Sequence, residues 1–151
     1  MTPESNPILI GSQRVRVELI DRPIDRRPLS DFIRDPDTGA QAWFEGVTRR
    51  MTGSQQTDRL EYEAFTPMAT RQLQELAAQA MDAFSLTAVA ITHRLGVVPI
   101  GEASILIGCS AAHRKGPLAA LPWLMDQIKA DVAIWKREHF AGGQSQWVHP
   151  Q

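Results

Sequence analysis

Two groups of basic residues in the C-terminal part of the sequence have the types and spacing that could perform chemistry. Lys129 and Lys136 are seven residues apart, and a basic run at residues 113–115 precedes them. If residues 117–138 form one helix, seven residues make almost two turns, so both lysines would project from one face, about 10 Å apart along its axis. Such an array could hold two anionic groups and still offer an amine for proton transfer. The first hypothesis is therefore an enzyme that handles an anionic substrate.

Hydrophobic periodicity predicts the elements that would position these residues. The predicted strands are residues 8–20, 40–48, 59–65, 87–95 and 103–109, with a short edge element at 146–148. The predicted helices are residues 25–34, 66–84 and 117–138, the second of them capped by Thr66. The polar stretch at residues 49–58 is predicted to be a mobile loop, and strand 59–65 is expected to pair antiparallel with strand 40–48.

This order of elements predicts an α+β fold with helices on one face of a mainly antiparallel sheet. A chain of 151 residues, 43% of them hydrophobic, is expected to form a single domain with its own core. Residues 1–7 are expected to be a loose leader and residues 141–151 a flexible tail.

Composition argues against several classes of protein. The net charge of -1 and the pI near 6.4 disfavour a nucleic-acid-binding protein. No apolar run approaches the roughly 18 residues that cross a bilayer, and the first residues do not resemble a secretory signal. The single cysteine, Cys109, suits a reducing, cytoplasmic setting and is interpreted as a buried core residue. The four histidines lack metal-ligand spacing, so no metal site is expected.

Five segments, in order from about residue 8 to residue 148, together resemble the large, catalytic subunit of molybdopterin synthase. They are FEGVTR at 44–49, LEYEAFTPMA at 60–69, HRLG at 93–96, SAAHR at 110–114 and IWKRE at 134–138. Each segment alone is weak evidence, but five at family-like spacing indicate the family.

The resemblance implies an α/β hammerhead-type fold with a ferredoxin-like core, assembled as a homodimer. It implies a small ubiquitin-like sulfur-carrier subunit whose C-terminal Gly-Gly, as a thiocarboxylate, enters a pocket of the large subunit. Two sulfurs would pass to cyclic pyranopterin monophosphate (precursor Z) and form the dithiolene of molybdopterin. Two carriers flanking the dimer would make a heterotetramer, and no cofactor is implied.

The resemblance also suggests roles for individual residues. It implies that Lys129 meets the carrier terminus and acts in acid–base or covalent chemistry, with Lys136 as its partner. A lysine beside other cations has a lowered pKa, which suits that role. Two lysines on a helix are more often a solvated face, but Met125 and Val132 beside Lys129 argue for a partly buried groove.

Further residues are predicted to bind the substrate. Arg49, His113 and Arg114 match anion-binding residues of the family, and arginine recognises phosphate in a planar, bidentate way. For His113 and Arg114 the alternative is a solvated helix start. Phe44 and Met125 resemble pocket-lining residues, with ordinary core packing as an equal alternative. His93 and Arg94 are interpreted as a structural strand end.

A second hypothesis is a non-catalytic scaffold that binds the carrier or a small anion. Three residues depart from the family pattern: Asp131 replaces a frequent basic residue, Ala133 replaces a common proline, and Gln151 ends the chain where an arginine is often found. Asp131 and the short tail favour the scaffold. Ala133 is also expected to leave the long helix straighter. A nucleic-acid-binding domain is a distant third, since only Trp43 and Phe44 hint at a base-stacking surface.

Overall fold

The computed structural model describes residues 8–10 and 13–148, with side chains from residue 14 onward. These residues form three helices and ten strands. In chain order they are β1 (Ile8–Ile10), β2 (Gln13–Ile20), α1 (Arg26–Ile33), β3 (Ala40–Val47), β4 (Met51–Thr52), β5 (Gln55–Ala64), α2 (Thr66–Ala83), β6 (Ala88–Arg94), β7 (Gly96–Pro99), β8 (Ala103–Ala111), α3 (Lys115–Asp131), β9 (Ile134–Phe140) and β10 (Ser145–Val148). The predicted leader and Gln151 lie outside the described residues.

The first sheet has the strand order β1-β2-β6-β8-β3 and carries helices on both faces. Strands β2 and β6 are parallel, and the other neighbours are antiparallel. Because side chains alternate along a strand, Val89 and Ile91 of β6 face the core under α2 and α3, while Ala88 and Ala90 face α1. The α+β class is confirmed, but the prediction that all helices share one face is wrong for α1.

The second sheet is antiparallel, in the order β10-β9-β5-β4, with β7 also paired to β5. The predicted loop at residues 49–58 is mostly a hairpin, because Gly53 takes a positive φ of 61° and reverses the chain between β4 and β5. The predicted pairing of β5 with β3 is therefore wrong, and β3 pairs with β8 in the other sheet. The edge element expected at residues 146–148 is confirmed as β10, within the segment that was expected to be a flexible tail.

The helix starts differ in how they are capped. Asp25 caps α1 by accepting a hydrogen bond from the backbone N–H of Arg27 at 3.1 Å. Helix α2 begins at Thr66 as predicted, with Pro67 in its first turn, but its N-cap is Phe65 and no side chain caps it. Thr66 lies one position inside the helix, so its predicted capping role is wrong.

The long helix predicted to Glu138 ends at Asp131, and the chain continues as β9. Val132, Ile134 and Trp135 are β-branched or aromatic and favour a strand. Strand β9 then pairs with β5 over most of its length, which satisfies backbone groups of both strands. Ala133 consequently lies beyond the helix and cannot affect its straightness.

The predicted buried stripe of this helix is right only in part. Leu124 and Ile128 are buried, but Leu118 is 60% exposed and Trp135, on β9, is 42% exposed. The junction between α3 and β9 is held by Gln72 of α2. Its side-chain amide donates to the carbonyl of Asp131 at 3.0 Å and accepts from the N–H of Ala133 at 2.8 Å.

Helix α3 approaches the end of α2 so closely that Gly116 has no room for a side chain. A Cβ at Gly116 would lie 2.3 Å from the carbonyl oxygen of Phe84. We expect Gly116→Ala to lower the free energy of unfolding by about 1–3 kcal/mol, because the helices must separate and this outweighs alanine's higher helix propensity. Chemical denaturation measures the change. Gly142→Ala is the control, because its Cβ meets nothing within 4 Å; equal stability losses in the two variants would contradict the prediction.

Candidate functional site

A cavity of about 720 Å³ lies between the two sheets, beside the C-terminal end of α3. Strand β3, the β4–β5 hairpin, and strands β6, β8, β9 and β10 all contribute to its walls. Five of the seven predicted site residues line it: Phe44, Arg49, Met125, Lys129 and Lys136. The structure thus brings together residues that are far apart in the sequence, although their chemical roles stay predictions.

The two lysines reach the cavity from different elements. Lys129 lies in the last turn of α3 and is exposed, whereas Lys136 lies on β9 and is partly buried. The prediction that one helix carries both is wrong, because the chain turns between Asp131 and Ile134. They still line one cavity, since the inward face of β9 presents Ile134, Lys136 and Glu138.

The surroundings of Lys136 change its acidity. Burial lowers the pKa of its amine below the ordinary lysine value, the carboxylate of Glu138 opposes this change, and the positive charges of Lys129 and Arg49 add to it. The amine therefore releases a proton more readily than an exposed lysine does. An ammonium of this kind suits proton transfer near neutral pH better than an unperturbed one.

Glu138 is a buried carboxylate in the cavity wall that the sequence analysis did not select. Only 6% of the surface of Glu138 is exposed to solvent. Its Oε1 accepts hydrogen bonds from the hydroxyls of Thr57, at 2.6 Å, and of Thr52, and the two threonine hydroxyls lie 3.0 Å apart. A buried carboxylate needs such partners. The hairpin predicted as a mobile loop thus fixes a negative charge beside Lys136.

A group of neutral polar side chains lines another part of the wall. Tyr62 of β5, His93 of β6 and Ser104 of β8 contribute to it. The rings of Tyr62 and His93 meet edge to face, with centroids 4.9 Å apart. Burial raises the pKa of Tyr62 and lowers that of His93 to about 4, so both side chains are neutral at physiological pH.

His113 and Arg114 do not line the cavity of this chain. Both are exposed at the start of α3, where Arg114 is the N-cap. Lys129 lies in the last turn of the same helix, so roughly 20 Å of helix separates it from them. Within one chain the structure therefore does not bring this predicted pair to the lysines.

Cys109 is buried in the core beneath α2 and α3, as predicted. Burial raises the pKa of its thiol to about 12, so it is not a thiolate nucleophile. Residues 14–148 contain no cluster of three or more His, Cys, Asp or Glu side chains that could hold a metal ion. Within the described ranges, no helix is both long and apolar enough to cross a membrane.

The residues that the sequence analysis missed share one signal. Glu138 lies two positions from Lys136. In a strand this spacing places both side chains on one face, whereas in the predicted helix it would place them on opposite faces. His93 follows Val89 and Ile91 at the same two-residue spacing on the core-facing side of β6. The signal is a polar residue on the apolar face of a strand; it could be read for His93, whose strand was predicted, but not for Glu138, whose segment was predicted to be a helix.

The comparisons with known proteins point to one family. The family model described as "MoaE protein" matches residues 19–131. A molybdopterin synthase catalytic subunit from Arabidopsis thaliana is 42% identical over 76% of the chain, which spans 58% of that relative's length. The one from Bacillus subtilis is 37% identical over 90% of the chain and 86% of its own length.

Solved structures agree with these sequences. Molybdopterin synthase from Staphylococcus aureus has a TM-score of 0.82 and 32% identity, over 87% of this chain and 95% of its own. A complex of subunits 1 and 2 of molybdopterin-converting factor from Helicobacter pylori has a TM-score of 0.70 at 19% identity, over 89% of this chain and 90% of its own, and supports the fold alone. The chain therefore belongs to the MoaE protein family, the family of molybdopterin synthase catalytic subunits.

Proposed function

We propose that this chain is the sulfurtransferase component of molybdopterin synthase and that the cavity between its sheets is the reaction site. Two carriers in turn would each deliver one sulfur from a thiocarboxylated C-terminus to cyclic pyranopterin monophosphate, forming the dithiolene of molybdopterin, and water would cleave each carbonyl–sulfur bond so that the carrier leaves as its carboxylate. The observation that carries the proposal is the convergence of Arg49, Lys129 and Lys136 on one cavity that Phe44 and Met125 also line.

The three cations match the charges of both proposed reactants. The pterin substrate carries a phosphate, and the thiocarboxylate donor is itself an anion. Arg49 offers a planar, bidentate site for a phosphate. The two lysine amines are point charges that can hold the thiocarboxylate in attacking position. Partial burial of Lys136 strengthens its interaction with either anion, because less water screens it.

The chemical step also requires a proton. When a carbon–sulfur bond forms and a carbon–oxygen bond of the substrate breaks, the departing oxygen must accept a proton. The Lys136 ammonium can supply it, since its pKa is lowered by burial and by Lys129 and Arg49. The Glu138 carboxylate opposes this lowering and favours the protonated form of the amine. Lys129 is exposed at the end of α3 and is the amine proposed to meet the entering carrier terminus.

The assembly follows from the same proposal. A ubiquitin-like carrier ending in Gly-Gly would thread its extended terminus into the cavity, and two carriers would flank a homodimer of this chain. Because His113 and Arg114 lie far from the lysines of their own chain, we propose that each pair completes the cavity of the second copy. We also propose a cytoplasmic location, which suits a chain whose single cysteine, Cys109, forms no disulfide.

Two of the three departures from the family pattern do not reach the cavity, and the third, Gln151, lies outside the described residues. Asp131 is exposed at the end of α3, Ala133 is in the junction after it, and neither lines the cavity. The decisive experiment combines the purified protein with a thiocarboxylated carrier and precursor Z and measures the dithiolene pterin. Carrier binding without product would favour the scaffold.

Lys129→Ala is expected to abolish dithiolene formation while leaving the chain folded. The side chain is exposed, so its removal costs little stability, but it takes away a cation that the carrier terminus needs. Single-turnover product analysis and circular dichroism test both parts. Arg71→Ala, which removes an exposed cation of α2 outside the cavity, is the matched control. Near-normal turnover in Lys129→Ala would refute the proposed role.

Glu138→Gln is expected to shift the alkaline limb of the pH–rate profile to lower pH. The Lys136 ammonium is lost as pH rises through its pKa, which burial already lowers; removing the opposing carboxylate lowers this pKa further. Rates measured from neutral to alkaline pH give the shift. Glu63→Gln is the control, because Glu63 is an exposed carboxylate of β5 outside the cavity. An alkaline limb that stays in place or moves upward would contradict the assignment of Lys136 as proton donor.

Mixed dimers test whether Arg114 acts across the dimer. Arg114→Ala and Lys129→Ala are each expected to be strongly impaired as homodimers. A dimer with one chain of each kind would have one doubly mutated site and one intact site, so activity should return to about half of wild type. Tandem-tag purification isolates the mixed dimer for assay. If both residues served the cavity of their own chain, the mixed dimer would stay inactive.

A further inference from the structure

His93 lies on the core-facing side of β6, where apolar residues are expected. The core-facing side of this strand reads Val89, Ile91 and His93, and the first two pack beneath α2 and α3. His93 is only 6% exposed, yet it lines the cavity. Tyr62 packs edge to face against its ring and limits its rotation. The imidazole is thus fixed in the cavity wall.

The hydrogen bonding of His93 determines which nitrogen carries its proton. Nδ1 lies 2.9 Å from the backbone carbonyl oxygen of Arg94, which can only accept, so Nδ1 must donate. The ring is neutral, because burial lowers its pKa to about 4. Nε2 is therefore an acceptor with a free lone pair.

No described residue donates a hydrogen bond to Nε2 of His93. The atom is also not sealed from solvent, unlike the unpaired and fully buried Nε of Arg94. Since the residue is almost wholly buried and lines the cavity, the cavity is where a donor can reach Nε2. A structural role explains the Nδ1 bond and the ring packing, but it leaves the second nitrogen unexplained.

The charged groups of the cavity wall make such an acceptor useful. Arg49, Lys129 and Lys136 can only donate hydrogen bonds, so they suit the anionic parts of the reactants. The N–H groups of a reduced pterin need acceptors instead. Glu138 already receives two threonine hydroxyls at one oxygen, whereas Nε2 of His93 is unoccupied among the described residues.

We propose that His93 is a substrate-binding residue whose Nε2 accepts a hydrogen bond from a ring N–H of the bound pterin. This inference rests on the function proposed above and adds a recognition site for the heterocycle to the cationic site for its phosphate. His93 orients the pterin and takes no part in proton transfer.

Two substitutions at His93 test this role by steady-state kinetics. His93→Leu removes the acceptor, and we expect the KM for precursor Z to rise about tenfold, with kcat and the KM for the carrier nearly unchanged. His93→Gln keeps a side-chain acceptor and should recover part of the loss. His139→Leu is the control, because His139 of β9 does not line the cavity and its Nε2 lies 3.8 Å from Oε2 of Glu61 instead; this variant should leave the KM for precursor Z unchanged. An unchanged KM for precursor Z in His93→Leu would overturn the inference.

A second measurement uses the unsubstituted protein, so that it stands even if His93→Leu fails to fold. With ¹⁵N-labelled histidine, the His93 ring should show a protonated Nδ1 and a bare Nε2. Anaerobic addition of precursor Z should shift the Nε2 resonance as it accepts a hydrogen bond, while inorganic phosphate should not. An unmoved Nε2 signal at saturating precursor Z would overturn the proposal. Absence of dithiolene product from the wild-type protein would instead refute the proposed function.

Discussion

Repulsion among three cations at one cavity, of which Lys136 is partly buried, is the constraint on which the proposed site depends. Burial, Lys129 and Arg49 all disfavour the ammonium form of Lys136, and Glu138 opposes them from two residues away. Charges of one sign do not gather in a partly desolvated space without a counter-charge or a ligand that offsets their repulsion. Glu138 is the fixed negative charge that acts on Lys136. An arriving phosphate or thiocarboxylate would add to that compensation.

Both sheets contribute residues to the wall of this cavity, and they differ in what they contribute. The first sheet is covered by helices on both faces and contains the large apolar core, so it supplies a stable frame. The second sheet is smaller and carries Lys136, Glu138 and the hairpin threonines on strands that pair through β5. The cavity lies where the sheets meet, a position that lets side chains from both layers converge. Exposed Lys129 reaches the same cavity from the end of α3.

The sequence allowed the fold class and most element positions to be predicted, and five of the seven residues proposed for the site do line one cavity, where their chemical roles remain a proposal. The main error in the sequence-based prediction concerned Lys129 and Lys136, whose seven-residue spacing is compatible with two different structures. The two lysines would share a face in a continuous helix. They also line one cavity when the helix ends at Asp131 and a strand begins at Ile134. Pairing of β9 with β5 decides between these outcomes, and such a long-range contact is not visible in local periodicity. Glu138 was missed for the same reason, since its face depends on the strand.

Other differences also came from tertiary contacts. The polar stretch at residues 49–58 has few apolar residues, but Gly53 turns it into a hairpin whose threonines are tied to Glu138. His113 and Arg114 match the family motif, yet distance from the cavity follows from the length of α3. No pattern within one sequence reveals which copy of a chain a side chain serves.

The junction between α3 and β9 has a consequence for how this family can change. Gln72 of α2 satisfies the last carbonyl of the helix and the first free N–H after it, and so sets the angle at which the chain turns. The separation of the two lysine amines therefore depends on Gln72, a residue that does not line the cavity. A substitution at Gln72 would thus change the relative positions of Lys129 and Lys136 without replacing any residue of the cavity wall.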